Sequence, residues 1–173
     1  MLPAVPHFDP AQLDAMRRSS GLTVGTEGEV LHEGTPFVHQ RLAALLQAGL
    51  DLHPDSGEAI LRVGEQWCYV GCDATPFVIQ RARWKHDGLE LLVNTGVMLT
   101  LPPAGLELRL QGDHRLWVRL PTALPGRARW ARFGRHAWMA VAEHLAVQDG
   151  DDGLALVVAD VTVPVARVQA PPC

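Results

Sequence analysis

Short strands separated by turn residues fill the segment from residue 76 to residue 112, which reads PFVIQRARWKHDGLELLVNTGVMLTLPPAGLELRLQG. Within it, Lys85–Gly88, Asn94–Gly96 and Pro102–Gly105 combine glycine or proline with polar residues, as tight turns do. Similar turn signals recur from Leu50 to Leu120, at intervals of about 8–12 residues. This spacing is typical of a small barrel or a strongly bent sheet.

The N-terminal part predicts an extended arm, two helices and a strand pair. Asp9 followed by Pro10 is a typical helix start, and a short helix is predicted to end before Gly21. Two strands are predicted on either side of the turn Glu27–Gly28. A second helix is predicted with Thr35 as its cap, Pro36 in its first turn and Gly49 after its end. Its apolar stripe, predicted to cover a sheet, is formed by Val38, Leu42, Leu45 and Leu46.

The C-terminal part predicts one longer helix followed by closing strands. The helix is expected from about Arg127 to Ala146, because Trp130, Ala137, Trp138, Val141 and Leu145 recur at helical spacing. Leu154–Val158 and Val161–Val165 are expected to be strands. The predicted fold class is therefore α+β, with strands predominating.

The composition leaves few residues for covalent catalysis. The chain of 173 residues has serine only at positions 19, 20 and 56, none in a G-x-S-x-G motif, and a single lysine, Lys85. Its three cysteines, Cys68, Cys72 and Cys173, are too few for a disulfide scaffold. These features favour a binding protein over an enzyme. A hydrolase built from His, Asp and Glu groups on separate elements stays open.

No metal site, cofactor site or membrane span is predicted. The eight histidines form no H-E-x-x-H or similar ligand motif. Cys68 and Cys72 would lie about 13 Å apart on one extended strand, which is too far for a shared zinc ion. No apolar run approaches the length of a membrane helix, and the start MLPAVPHFDP is unlike a signal peptide. A cytoplasmic location is expected.

Charge is distributed unevenly along the chain. The net charge is −4, but the segment from His114 to Ala142 has six arginines and no acidic residue. The rest of the chain therefore carries a net charge of −10. Such asymmetry predicts a local surface that attracts anions, for which the planar guanidinium is well suited. The alternative is a solvated basic helix face with no ligand.

Several short motifs, in their order, resemble an uncharacterised bacterial family, domain of unknown function 1285 (DUF1285). Glu27–Gly28 and Glu33–Pro36 resemble its early D-G and G-T-P elements, and Asp73–Phe77 is similar to its D-x-P-F segment. Val118–Arg119, followed by the arginine-bearing helix, resembles its V-R element and final helix. Gly153–Val165 occupies the place of its closing strand. The resemblance covers residues 22–165.

The resemblance implies two α+β units of similar size, the second similar to a pleckstrin-homology fold, with a bent sheet and a long helix. It also implies a site for a nucleotide-like molecule between the units and a role in signalling. The corresponding boundaries are residues 1–21 for the arm and first helix, 22–75 for the first unit and 76–173 for the second. No catalytic residues follow from the resemblance.

Together, these observations predict a ligand-binding sensor or adaptor for an anionic small molecule. The predicted ligand-binding residues are Arg119, Arg129, Arg132, Arg135, Trp67 and Trp84. The alternatives are a nucleic-acid-binding module that uses the 115–135 segment and a protein-interaction domain. A nucleic-acid module would bind less tightly as salt rises, and an interaction domain would expose a large apolar patch.

Overall fold

A computed structural model describes residues 9–112, 115–121, 129–147, 153–158 and 160–171 of the chain. Within these residues, three helices and fifteen strands form two small sheets and one large mixed sheet. The predicted α+β class with predominating strands is confirmed. None of the helices in the described residues is long and apolar enough to cross a membrane.

The first elements form a capped helix and a small three-stranded sheet. Helix α1 begins with a capping box, because the Asp9 side chain accepts from the Gln12 N–H and the Gln12 side chain accepts from the Asp9 N–H. The predicted first helix and strand pair are confirmed. The elements are α1 (Pro10–Arg18), β1 (Leu22–Val24), β2 (Val30–His32), β3 (Thr35–Pro36) and α2 (Gln40–Ala48).

A second three-stranded antiparallel sheet follows, and the N-terminal region has its own small core. The sheet consists of β4 (Leu50–Leu52), β5 (Ala59–Val63) and β6 (Gln66–Tyr69). The core joins both small sheets through the buried side chains of Val24, Val30, Leu50, Leu61 and Val70.

The nine strands from Val78 onwards form one large sheet. Its strand order is β13-β14-β15-β10-β11-β12-β7-β8-β9, and the pairs β10–β15 and β12–β7 are parallel. Trp117 lies fully buried in the sheet, and an aliphatic cluster that includes Leu89, Leu91, Leu116 and Leu156 forms the main core. The elements are β7 (Val78–Lys85), β8 (Gly88–Val93), β9 (Met98–Leu101), β10 (Leu108–Gln111), β11 (Arg115–Leu120), β12 (Arg129–Phe133), α3 (Arg135–Ala142), β13 (Leu145–Val147), β14 (Leu154–Val158) and β15 (Val161–Val168).

The predicted helix from Arg127 to Ala146 is wrong over much of its length. Arg127 lies outside the described residues, Arg129–Phe133 is strand β12, and only Arg135–Ala142 is helical. The strand pairs with β11 on one side and β7 on the other, so sheet hydrogen bonds override the helical spacing of its apolar residues. Arg129 and Arg132 are therefore not neighbours on a helix, because strand positions three apart point to opposite faces.

The second predicted helix starts later than expected. Thr35 and Pro36 pair with β2 as strand β3, and His39 caps α2 by accepting from the Leu42 N–H through Nδ1. Leu46 packs against the small core, but the other members of the predicted stripe are exposed, Val38 at 96%, Leu42 at 40% and Leu45 at 52%. Of the predicted apolar stripe, only Leu46 therefore packs against the sheets.

Candidate functional site

The turn between β1 and β2 is bound to the large sheet through its backbone carbonyls. Four successive carbonyls, from Gly25 to Gly28, each accept a hydrogen bond from a side chain elsewhere in the protein. The donors are Arg132 for Gly25 and Thr26, Gln80 for Glu27, and Asn94 and Gln47 for Gly28. We call these residues, 25–28, the junction turn.

Asn94 is the most buried of these donors, with 3% of its surface exposed. Its Nδ2 group donates to the carbonyls of Gly28 at 2.9 Å and Pro76 at 3.0 Å. Its Oδ1 atom accepts from the Val78 N–H at 3.0 Å. One side chain thus satisfies three buried backbone groups on two segments, which a buried amide must do to avoid a desolvation cost.

Arg132 is half-buried and holds the other end of the junction turn. Its guanidinium donates to the Gly25 carbonyl at 2.7 Å and to the Thr26 carbonyl. Its Nε atom is buried and has no partner among the described residues. Burial lowers the pKa of Arg132, although Asp73 and Glu27 partly offset this effect by favouring the charged form.

A cleft of about 380 Å³ lies beside this turn, between it and the large sheet. Three arginines line it, namely Arg115 from β11, Arg132 from β12 and Arg135 from the first turn of α3. Trp138 and Phe133 provide aromatic surface. The cleft therefore combines planar cationic donors with a ring, which suits an anionic ligand that also carries an aromatic group.

The three arginines of the cleft are not equally available to a ligand. Arg115 pairs with Asp73 at 2.9 Å, and Arg132 is bound to the junction turn. The guanidinium of Arg135 is exposed and has no ion pair or hydrogen bond within the described part of the chain. Its backbone N–H faces the Glu27 carboxylate at 3.2 Å and 3.4 Å, so a carboxylate already lies at the start of α3. Among the described residues of the cleft, Arg135 is thus the cation whose guanidinium is free.

Two of the predicted ligand-binding arginines lie outside the cleft. Arg119 pairs with Glu107 at 2.8 Å and lines a separate depression of about 310 Å³. Arg129 pairs with Asp51 at 2.7 Å and lies over the ring of Phe77. The structure therefore brings together only Arg132 and Arg135 of the four, because β-strand geometry and separate ion pairs disperse the others.

The two predicted tryptophans also lie elsewhere. Trp84 packs against the main core and meets His144 edge-on, and its buried indole N–H has no partner among the described residues. Trp67 lies on β6, where Arg17 of α1 stacks over it at 4.0 Å. Neither residue lines the cleft.

Of the residues that line the cleft, the sequence predicts only Arg132 and Arg135 as ligand-binding residues. Arg115 lies in the arginine-rich segment but is not among the predicted residues, and the helical pattern places Trp138 on the core side of the predicted helix. Asp73 enters the sequence analysis only as part of a motif that resembles the DUF1285 family. The excess of arginine was the available signal, whereas the turn that completes the cleft lies about 90 to 110 residues away in sequence, a distance that local patterns do not bridge.

Away from the cleft, an ion pair joins α1 to the loop before β5 and should make the docking of α1 depend on pH. Arg18 of α1 donates to both carboxylate oxygens of Glu58, at 2.9 Å and 3.1 Å, and this holds the pKa of Glu58 below its ordinary value of 4.5. Because the pKa is lowered in the folded state, the stabilisation is present above 4.5 and is lost as the pH falls through the lowered value. We expect the hydrogen-exchange protection of α1 to decrease over that acidic range.

The Glu58→Gln variant should have weak protection of α1 already at neutral pH and little further loss in acid. Glu65→Gln, on the exposed turn at the other end of β5, is the matched control and should behave as the native chain does. An unchanged pH dependence in Glu58→Gln would contradict this account.

No group of three or more His, Cys, Asp or Glu side chains in the described residues could hold a metal ion. Cys68 and Cys72 are free thiols, and burial raises the pKa of both. Cys173 lies outside the described residues, as do His114 and most of the acidic segment after α3.

Comparison with known proteins finds similarity in structure only. No model of a known protein family matches the chain, and no curated protein does. The crystal structure of a DUF1285 family protein from Silicibacter pomeroyi aligns with 84% of this chain and 79% of its own, at a TM-score of 0.60 and 15% identity. The chain has the fold of a DUF1285 family protein. A second DUF1285 family structure, from Shewanella baltica, covers 68% of this chain and 86% of its own, at a TM-score of 0.46 and 17% identity.

The DUF1285 fold confirms the resemblance that the sequence motifs indicated. Glu27–Gly28 lies in the junction turn, and Asp73–Phe77 precedes β7. The boundaries of the two units, at residues 22–75 and 76–173, stay a prediction.

Proposed function

We propose that the protein is a non-enzymatic sensor or adaptor that binds an anionic, nucleotide-like small molecule in the cleft beside the junction turn. The observation that carries this proposal is the free guanidinium of Arg135 next to Arg115, Arg132 and Trp138 in one cleft. The pleckstrin-homology-like description of the second unit, which comes from the resemblance, belongs to the same proposal.

The chemistry of the cleft supports an anion with a planar group. Arginine binds phosphate and carboxylate through two parallel hydrogen bonds, and Arg135 has its donors available. Trp138 offers a ring against which a base could stack. The volume of about 380 Å³ is at the small end of the usual range for ligand sites, which suits a mononucleotide better than a polymer.

The position of the cleft supports a sensing role. Its walls come from the junction turn on one side and from β11, β12 and α3 on the other. A ligand that contacts both walls would add to the hydrogen bonds that already join them. Binding would therefore stabilise the folded junction in proportion to the logarithm of ligand concentration.

The first test is a thermal-shift screen at one fixed moderate salt concentration. Inorganic phosphate, mononucleotides, cyclic dinucleotides and a short oligonucleotide are the probes. A ligand at about 100 times its dissociation constant adds roughly 2.7 kcal/mol of stability. We expect a selective shift with a mononucleotide or cyclic dinucleotide, and its absence with every small anion would overturn the proposal.

The Arg135→Ala variant tests the site itself. Because a hydrogen bond to a charged group is worth about 1.5–3 kcal/mol, affinity for the ligand should fall about tenfold or more. Arg83→Ala is the matched control, since Arg83 is an exposed arginine on β7 that does not line the cleft. Isothermal titration calorimetry measures both, and equal affinities of Arg135→Ala and the native chain would place the ligand elsewhere.

A protein-interaction domain is the second candidate, favoured by exposed apolar side chains in α2 and just before it. Val38, Leu42 and Leu45 are all exposed. An exposed apolar patch is the usual sign of an interface. The nucleic-acid alternative has less support, because Arg115, Arg119 and Arg129 each pair with a carboxylate. A shift with the oligonucleotide alone would favour that alternative instead.

A further inference from the structure

Three aromatic rings form a cluster on the sheet β4-β5-β6, away from the cleft. Trp67 and Tyr69 on β6 meet edge-to-face, with ring centres 5.2 Å apart. The ring of His53 lies 5.0 Å from Trp67 and 6.0 Å from Tyr69. Glu58, on the loop between β4 and β5, adds a carboxylate to this surface. We call these four residues the aromatic cluster.

Two adjacent arginines of α1 occupy the aromatic cluster. The guanidinium of Arg17 lies 4.0 Å from the centre of the Trp67 ring, and that of Arg18 lies 3.9 Å from the centre of the Tyr69 ring. Arg18 also forms the two-pronged ion pair with Glu58, while its Nε donates to Asp14 at 2.9 Å. Arg18 therefore uses one face of its guanidinium for the Tyr69 ring and its N–H groups for Glu58 and Asp14.

Guanidinium contacts, rather than core packing, hold α1 in place. None of the residues of α1 is buried, and its two largest apolar side chains, Leu13 and Met16, are exposed. Only Ser19–Gly21 connects α1 to β1, and the Ser20 hydroxyl donates to the Tyr69 carbonyl at 2.7 Å. Because exposed cation–π contacts and ion pairs are individually weak, α1 can leave the cluster without disturbing either core.

We propose that the aromatic cluster is a binding site for a helix bearing two adjacent arginines, and that α1 is an internal ligand which the arginine-bearing helix of a partner protein replaces. The residues that the partner helix needs can be inferred from α1. The partner helix needs two consecutive arginines and an acidic residue four positions before the second arginine, as Asp14, Arg17 and Arg18 provide in α1. Lysine would retain the charge but lose the planar stacking and the two-pronged ion pair.

The test uses the full-length chain with Arg17→Ala and Arg18→Ala, which vacates the cluster. A fluorescently labelled peptide with the sequence of residues 9–20 is the probe, and fluorescence anisotropy measures its binding. We expect the vacated chain to bind the peptide, and the native chain to bind it at least about tenfold more weakly, because α1 must first leave. A peptide with lysine at both arginine positions should bind the vacated chain more weakly than the arginine peptide.

Trp67→Ala in the vacated chain removes one ring and should abolish binding. A thermal melt of each variant checks that it still unfolds cooperatively, and Arg18→Ala alone provides a milder vacated form. Absence of peptide binding to both folded vacated variants would overturn the proposal, as would equal binding to the native and vacated chains. A concentration-dependent dimer of the native chain that Trp67→Ala abolishes would overturn the assignment to a foreign partner and assign the site to α1 of a second copy.

Discussion

Gly28→Ala should be one of the most destabilising single substitutions in this protein. Gly28 has a φ of +86°, and a Cβ atom there would lie 2.6 Å from the Cβ of Asn94 and 2.9 Å from the Cβ of Val78. Left-handed backbone costs an alanine about 1–2 kcal/mol, and the overlap adds a further 1–3 kcal/mol or so. We therefore expect a loss of about 2–5 kcal/mol, or a melting temperature lower by roughly 4–20 °C, in urea and thermal unfolding.

Gly96→Ala is the matched control for this substitution. Gly96 has a similar φ of +82°, but an added Cβ would meet no atom within 4 Å. Its cost should therefore be the backbone contribution alone, about 1–2 kcal/mol. The difference between the two variants measures how closely the junction turn approaches the large sheet. Equal losses of stability would show that close packing at Gly28 contributes nothing.

Asn94→Ala should have an effect of similar size through unsatisfied hydrogen bonds. The substitution leaves the Val78 N–H and the Pro76 carbonyl without the Asn94 side chain, while the Gly28 carbonyl keeps its bond from Gln47. Because each of these two buried groups costs about 1–3 kcal/mol when left unpaired, we expect a loss of about 2–6 kcal/mol. Denaturant unfolding measures this loss.

Thr95→Ala is the appropriate control for Asn94→Ala, since Thr95 is the next residue in the same turn and is only half-buried. It should change the free energy of unfolding by less than about 1 kcal/mol. If Asn94→Ala were equally mild, Asn94 would not join the junction turn to the sheet in solution. The junction turn would then not be a fixed wall of the cleft, which the ligand-binding proposal requires.

Local patterns were sufficient for the turns and for most of the strands. The segments Lys85–Gly88 and Asn94–Gly96 separate strands, as their turn residues indicated, and the closing strands Leu154–Val158 and Val161–Val168 lie where apolar runs predicted them. Asp9 and Pro10 begin α1. These features depend on backbone preferences within a few residues, so they can be predicted without knowledge of the rest of the chain.

Prediction from local patterns failed in two segments whose residues are compatible with either a helix or a strand. Trp130 fits the helical spacing of Ala137 and Val141, but it is buried in a strand with a neighbouring strand on each side. Thr35 and Pro36 are residues typical of a helix start, yet they pair with β2 as a strand. In both regions, partners outside the local window determine the outcome.

By itself, the sequence determined the strand-rich α+β class, the positions of the turns and the concentration of arginine in one segment. Only the tertiary structure decided where each arginine lies. Arg119 and Arg129 pair with carboxylates, and Arg132 binds the junction turn. The guanidinium of Arg135 has no partner in the part of the chain that the structure describes. The physical reason is that turns follow from local torsional preferences, whereas an ion pair or a cleft needs residues that only folding brings together.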